Sequence, residues 1–140
     1  MPPAPVPAEL VEFLARPNPA VIGTLRPDGS PHSVATWYDW EDGSVLVNMD
    51  VSRRRLGFMR NDPRVSLTVI DEANWYRHVS LLGLVERIEA DKELRDIDRL
   101  ATRYTGSAFR TRDADRHSAW IRVDSWHAWD GNGPWLPSSP

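Results

Sequence analysis

The 140-residue chain contains no cysteine, which excludes disulfide frameworks, thiolate catalysis and cysteine-ligated zinc or iron–sulfur sites. It has no surplus of positive charge: 17 Lys and Arg against 20 Asp and Glu give a formal net charge of −3. A nucleic-acid backbone asks for the opposite balance, so nucleic acid is not an expected partner and any anion site must be local. No apolar run approaches the length of a membrane span, and the start Met1-Pro2-Pro3-Ala4-Pro5-Val6-Pro7 lacks the charged and apolar regions of a secretory signal. The expectation is a cytoplasmic protein with no membrane partner. The four histidines, His32, His78, His117 and His127, show no metal-ligand spacing. No glycine-rich stretch matches a Walker or Rossmann fingerprint, and no nucleophile elbow occurs. With neither metal nor nucleophile in view, a bound cofactor that carries the chemistry is the economical hypothesis.

Hydrophobic residues make up 41% of the chain and charged residues 26%, enough for one packed core at this length and too little chain for two. The expected organisation is a Pro-rich segment over 1–7, one folded domain over 8–130 and a tail over 131–140. Seven tryptophans are present, and these serve cores, flat ligands and subunit contacts alike.

Leu10, Val11, Phe13 and Leu14 recur at helical spacing before Pro17 and predict a short helix over 8–15 that lids one end of the domain. A β-rich run over 20–25, the turn Arg26-Pro27-Asp28-Gly29 and an alternating run over 31–40 predict a hairpin. The turn Glu41-Asp42-Gly43 then leads to a third successive antiparallel strand over 44–49, with Val45, Val47 and Met49 on one face and Leu46 and Asn48 on the other. The period changes over 50–61, giving a short connecting helix stopped by Asn61-Asp62-Pro63. Strands follow over 64–70 and 77–88, with Gly83 as a candidate bulge. Leu94, Ile97, Leu100, Ala101 and Tyr104 form the stripe of an amphipathic helix over 91–104, ended by Gly106, and a last strand covers 118–128. Hairpin-linked strands with few helices predict a mainly β protein, a small antiparallel barrel closed to remove its edges.

One segment breaks a local rule. Ser52-Arg53-Arg54-Arg55 crowds three cations into the start of the connecting helix, against the positive end of its dipole. A bound phosphate reverses that sign, with Ser52 as N-cap, exposed N–H groups and bidentate guanidinium forks completing the seat. The bland alternative is a solvated basic face. In Asn74-Trp75-Tyr76-Arg77-His78, Trp75 can stack on a ring system while Arg77 and His78 hydrogen-bond its heteroatoms; a capped hairpin with surface aromatics is equally consistent. Val34, Ala35, Thr36 and Trp37 form a strand end whose small residues leave room for a planar ligand, although a routine barrel strand accounts for them too. Trp120 and Trp126 suit core, dimer interface or the far wall of a site.

Several stretches together carry a resemblance: Pro27-Asp28-Gly29-Ser30-Pro31-His32, Trp37-Tyr38, Asp50-Val51-Ser52-Arg53-Arg54-Arg55, Asn61-Asp62-Pro63-Arg64-Val65-Ser66-Leu67 and 77–86. Over about Leu10 to Trp129 the chain resembles the pyridoxamine 5′-phosphate oxidase-like superfamily, nearest its deazaflavin (F420)-dependent reductase branch. The resemblance implies a homodimeric split β-barrel with two cofactor sites at the subunit interface. It implies that Ser52, Arg53, Arg54 and Arg55 match the cofactor-phosphate segment and Asn48 and Met49 the strand before it. Val34, Ala35, Thr36 and Trp37 match the strand behind the ring, and Arg77 and His78 fall beside it, His78 standing where the oxidases often carry Gln. Trp120 and Trp126 lie where a partner subunit completes the pocket. His127 between Trp126 and Ala128 lacks the basic neighbours that hold the substrate phosphate in vitamin B6 oxidation, which is therefore disfavoured. The implied activity is hydride transfer between F420 and a small conjugated organic substrate. The alternatives are an FMN-dependent reductase or oxidase of the same fold, a non-catalytic flavin or tetrapyrrole binder, or a plain dimeric interaction domain.

Overall fold

Period-two burial sets the first barrel wall. The computed structural model describes residues 1–135. In β1 (Ala20–Leu25), Ala20, Ile22 and Thr24 point inward and the residues between them are half-buried. Gly29, at φ 86°, supplies the left-handed residue of the turn into β2 (Pro31–Thr36), which pairs antiparallel with β1 from Leu25–Pro31 to Ala20–Thr36.

The single strand expected over 31–40 is two. The chain bends at Trp37-Tyr38 and resumes as β3 (Asp39–Glu41), which pairs with β4 (Ser44–Asp50). Tyr38 causes the bend: its ring is fully buried and its hydroxyl lies 2.8 Å from the Leu14 carbonyl and 3.0 Å from that of Arg16. Burial, reinforced by the neighbouring Tyr104, pushes this hydroxyl far above the ordinary tyrosine value despite Arg103, so it stays a donor. The Leu14 and Arg16 carbonyls end α1 (Ala8–Leu14), the helix expected to lid the domain.

The other elements are α2 (Arg54–Asn61), β5 (Arg64–Ile70), β6 (His78–Ala90), a 3-10 turn (Lys92–Leu94), α3 (Arg95–Thr105) and β7 (Arg116–Trp129). All seven strands form one antiparallel sheet ordered β2-β1-β5-β6-β7-β4-β3. Of the three successive strands expected over 20–49, both turns join antiparallel pairs, β1 with β2 and β3 with β4, but the break after β2 sends the two pairs to opposite edges of the sheet, and the other neighbour of β4 is β7. Laid flat, the two edge strands would sit about 29 Å apart at roughly 4.8 Å per strand. Yet β2 and β3 are joined through Trp37-Tyr38 alone, and three peptide steps span at most about 11 Å. The sheet must curl until its edges meet, which makes it a barrel.

Inside lie Val45, Val47 and Met49 of β4 with Leu67, Val79 and Ile121, and α1 plugs one end with Leu10, Phe13 and Leu14. Outside, Leu46 packs under Ile97 and Leu100 of α3 as a second cluster. The helix expected over 91–104 starts late, because Glu93 and Leu94 adopt φ 58° and 57° and the chain turns back on itself. Asp91 then accepts from the backbone N–H groups of Asp96 (2.8 Å) and Ile97 (2.9 Å). Gly106, at φ 83°, ends α3 as the sequence predicts. Arg103 of α3 reaches across to the end of α1, donating to the carbonyls of Ala15 (2.6 Å) and Arg16 (2.7 Å), and to that of Tyr38 (2.9 Å).

The Pro-rich start runs beside β7: the Ala4 backbone N–H donates to the Asp124 carbonyl, and the Trp126 N–H donates to that of Pro2. Of the tail, Trp135 packs edge-on against Phe13 at 5.0 Å, and 136–140 lie outside the described residues. No helix among the described residues is long and apolar enough to cross a membrane.

Two glycines have opposite expected responses. At Gly83 the β6–β7 register shifts, and an added Cβ would lie 2.3 Å from the Arg122 carbonyl oxygen, so Gly83→Ala is expected to cost about 1–3 kcal/mol in urea denaturation. Gly57 lies in α2 with nothing within 4 Å of an added methyl group, and Gly57→Ala is expected to add about 0.5–1 kcal/mol.

Candidate functional site

Where α3 crosses the outer face of the barrel, it leaves a cavity of about 610 Å³, within the range of about 300–1,000 Å³ common to small-molecule sites. Its floor is the barrel wall: Asn48 of β4 and Ala35, Thr36 and Trp37 at the bend after β2. Ile97, Leu100 and Tyr104 of α3 and Phe109 of the following loop form the opposite side. Arg55 enters from α2, Arg116 from the first residue of β7, and Glu72 sits at the margin.

The aromatic side is pre-arranged. Trp37 and Tyr104 stack with centroids 5.4 Å apart and planes 9° from parallel, and Phe109 meets Trp37 edge-on at 6.1 Å. The Tyr104 hydroxyl donates to the Asn18 carbonyl at 2.7 Å, and burial raises its pKa. Phe109 is held by Asp98, which accepts from the Phe109 backbone N–H at 3.0 Å and from both terminal nitrogens of Arg112.

The polar side carries two cations on which Asp50 and Asp91 act only from a distance, with Glu72 at the margin. Among the described residues neither Arg55 nor Arg116 has a carboxylate within ion-pair distance. The Arg55 Nε is buried with no hydrogen-bond partner. Burial first, then the nearby Arg53 charge, pulls the Arg55 guanidinium below its ordinary pKa, with Asp50 opposing. Burial likewise lowers Arg116, opposed by Asp50 and Asp91. The Arg116 Nε donates to Asn48 Oδ1 at 2.7 Å, and its guanidinium lies 4.7 Å from the Phe109 ring centroid. An orphaned buried N–H and two like charges facing one hollow cost stability unless an anion enters between them.

The three successive arginines do different things. Asp50 accepts from the backbone N–H of Ser52 at 3.0 Å and from its hydroxyl, and pairs with Arg53 Nε at 3.2 Å. Ser52 is thereby drawn away from the N-cap role; α2 begins at Arg54, with Arg53 at the cap position and no side-chain cap. Arg54 is exposed, and of the run only Arg55 faces the cavity. An acceptor two residues before Ser52 outcompetes the helix end for its hydroxyl.

Of the other residues singled out in the sequence, Ala35, Thr36, Trp37 and Asn48 come together with Arg55, whereas Met49 lies fully buried in the barrel and Val34 packs half-buried against it. Trp75 is 69% exposed and stacks on Tyr76 at 4.8 Å, three residues beyond Glu72. Arg77 lies over the Trp135 ring at 3.7 Å, and His78 Nδ1 is 3.0 Å from the Tyr76 carbonyl. Trp120 packs beside Leu46, Ile97 and Leu100 with Arg87 over its ring, and Trp126 lies opposite Leu81 against the barrel core. Arg116, Phe109 and Tyr104 were not among the residues the sequence pointed to as a site. The signal for Arg116 was the alternation Arg116, Ser118, Trp120, which continues the last strand two residues before its predicted start.

Comparison with known proteins agrees with this architecture. No curated protein matches the chain in sequence. Among solved structures, an F420 reductase shares 30% identity with a TM-score of 0.79, over 86% of this chain and 98% of that one. A conserved hypothetical protein of Mycobacterium tuberculosis shares 25% identity with a TM-score of 0.69, over 99% and 92% of the two chains. General stress protein 26 of Bacillus anthracis has the same fold at 20% identity and a TM-score of 0.63, over 86% and 90%. The family model for pyridoxamine 5′-phosphate oxidase matches residues 6–130. With that match spanning the whole barrel and α3, the chain belongs to the pyridoxamine 5′-phosphate oxidase family of split barrels, an oxidoreductase-type family whose fold binds flavin-type cofactors.

Proposed function

We propose that this protein is a deazaflavin (F420)-dependent oxidoreductase acting on a small conjugated organic substrate. The observation that carries the reading is the pair Arg55 and Arg116, without a direct carboxylate partner among the described residues, beside a flat aromatic wall, because a cofactor with one phosphate and one planar ring system needs that combination. Two cations able to fork onto phosphate oxygens suit the charge, and the orphaned Arg55 Nε gives it a donor. The 30% identical F420 reductase favours deazaflavin; FMN offers the same phosphate and a similar ring, and is the alternative.

When bound, such a group supplies reversible hydride transfer. Arg55 and Arg116 hold its phosphate, with the uncapped N–H groups of α2 nearby. Ala35 and Thr36 present a wall with little bulk on which a ring can lie, and Trp37, Tyr104 and Phe109 close its aromatic side against water. Arg77 and His78, which the resemblance puts beside the ring, and Trp75 are not among the residues lining this cavity. The protein acts as a homodimer, as the family's architecture implies.

Titrating purified protein with F420 and with FMN, followed by fluorescence quenching, is expected to show saturable binding of F420 tighter than that of FMN. The reverse order assigns FMN, and binding of neither removes the reading. Arg55→Met is expected to abolish stabilisation by added inorganic phosphate in thermal melts. The same change is expected to raise ligand-free stability by roughly 1 kcal/mol, at the low end of the range because Arg55 is only half-buried. A variant that loses stability while keeping its phosphate response contradicts the assigned role.

A further inference from the structure

Behind Arg116 lies a buried polar chain that the proposed function leaves unused. Asp91, at the end of β6, is 8% exposed, and Asn48, Asp96 and Ser118 are equally or more deeply buried. The Asp91 carboxylate accepts from the Asp96 and Ile97 backbone N–H groups, and its Oδ2 also accepts from Asn48 Nδ2 at 3.0 Å. Asn48 Nδ2 donates in addition to Ser118 Oγ at 3.0 Å, and Ser118 Oγ donates to Asp96 Oδ2 at 2.6 Å. On its other side, Asn48 Oδ1 accepts from Arg116 Nε at 2.7 Å.

The orientation of the Asn48 amide follows from its neighbours. An ionised carboxylate only accepts and a guanidinium only donates, so Asn48 must turn its NH₂ to Asp91 and its oxygen to Arg116. A reversed amide would set acceptor against acceptor and donor against donor in a buried place, where each mismatch leaves polar groups unpaired. Asp91, together with Ser118, whose own proton goes to Asp96, thus determines which face Asn48 shows to Arg116. The turn at Glu93 and Leu94, two left-handed residues with a backbone cost, brings the start of α3 back onto Asp91; Glu93 is exposed there, while Leu94 packs half-buried against Ile97 and Leu100.

We propose that Asp91 is a positioning residue: through Asn48 it aims the Arg116 guanidinium into the cavity, so that recognition of a phosphate there depends on the docked start of α3. The inference rests on the anion-binding reading of the cavity and extends it to two residues that do not touch the ligand's phosphate. Among the described residues Arg116 has a single side-chain hydrogen bond to fix its head group, the other contact being the non-directional one with the Phe109 ring. Without the Asn48 contact the side chain gains rotational freedom, and aimed donors lose affinity through that entropy.

The test compares phosphorylated and phosphate-free members of one ligand pair, FMN with riboflavin or F420 with its phosphate-free chromophore, by binding titration at equilibrium. Wild type is expected to prefer the phosphorylated member. Asp91→Asn is expected to reduce that preference about tenfold, the scale of one hydrogen bond to a charged group, while affinity for the phosphate-free member changes less than twofold. Arg116→Met is expected to remove the same preference, and adding Asp91→Asn to it to change nothing further. Should Asp91→Asn fail to fold, Asp91→Ser decides, since serine still caps a helix but is too short to serve Asn48 as well. A purely structural Asp91 would lower the melting temperature and leave the preference within twofold of wild type, and that result overturns the proposal. A wild type with no preference at all overturns the anion reading beneath it.

Discussion

The guanidinium of Arg103 joins three parts of the molecule that the chain separates by up to 89 residues. It donates to the last carbonyls of α1 and to the Tyr38 carbonyl, and it lies 3.2 Å from the Asp39 carboxylate with its side chain only 13% exposed. Helix ends leave carbonyls without partners, and buried ones must find donors. Here one planar, multiply donating cation serves the end of α1, the bend where the sheet closes and the β3 edge at once. Lysine, a point charge without the fork, could not. Because Arg103 belongs to α3, the same contacts dock that helix beside the bend, and the cavity exists because α3 is held there.

Barrel and cavity are consequently built on opposite faces of the same strands. Along β4, Val45, Val47 and Met49 fill the interior while Leu46 and Asn48 look outward, the first to α3 and the second to the cavity. The outward face can tolerate Asn48 because its amide is fully engaged by Asp91, Ser118 and Arg116. Among the described residues the Arg55 Nε has no such partner, and that contrast sets it apart from Asn48 across the same cavity.

Much of the fold was legible because short elements declared themselves by period and punctuation. α1, β1 and β5 match their predicted spans to within a residue, each bounded by proline, glycine or a helix-ending turn. The bend at Trp37-Tyr38 was not legible, since polar and apolar residues go on alternating through it and the cause, a tyrosine hydroxyl reaching α1, is non-local. Pairing of β4 with β7 is likewise a property of closure and leaves no mark in local periodicity. In the site, the arginine run was visible as an electrostatic anomaly, but its division of labour was not: Asp50 claims Ser52 and Arg53, and helical geometry turns Arg55 alone inward. Phe109 comes from a loop with no pattern of its own and Arg116 from a strand start two residues ahead of the predicted span, and only the tertiary structure brings them to Arg55.

The wall of the hollow that faces the barrel comes from several strands, but the wall that faces away from it comes from one continuous stretch, Ile97 through Phe109. Within it, Arg103 and Tyr104 are committed to α1, Asn18 and the bend, whereas Phe109 and its loop can change size or polarity without disturbing the interior of the barrel. Descendants of one ancestral scaffold could therefore acquire different small-molecule tastes by rewriting a few neighbouring codons, leaving the scaffold itself intact.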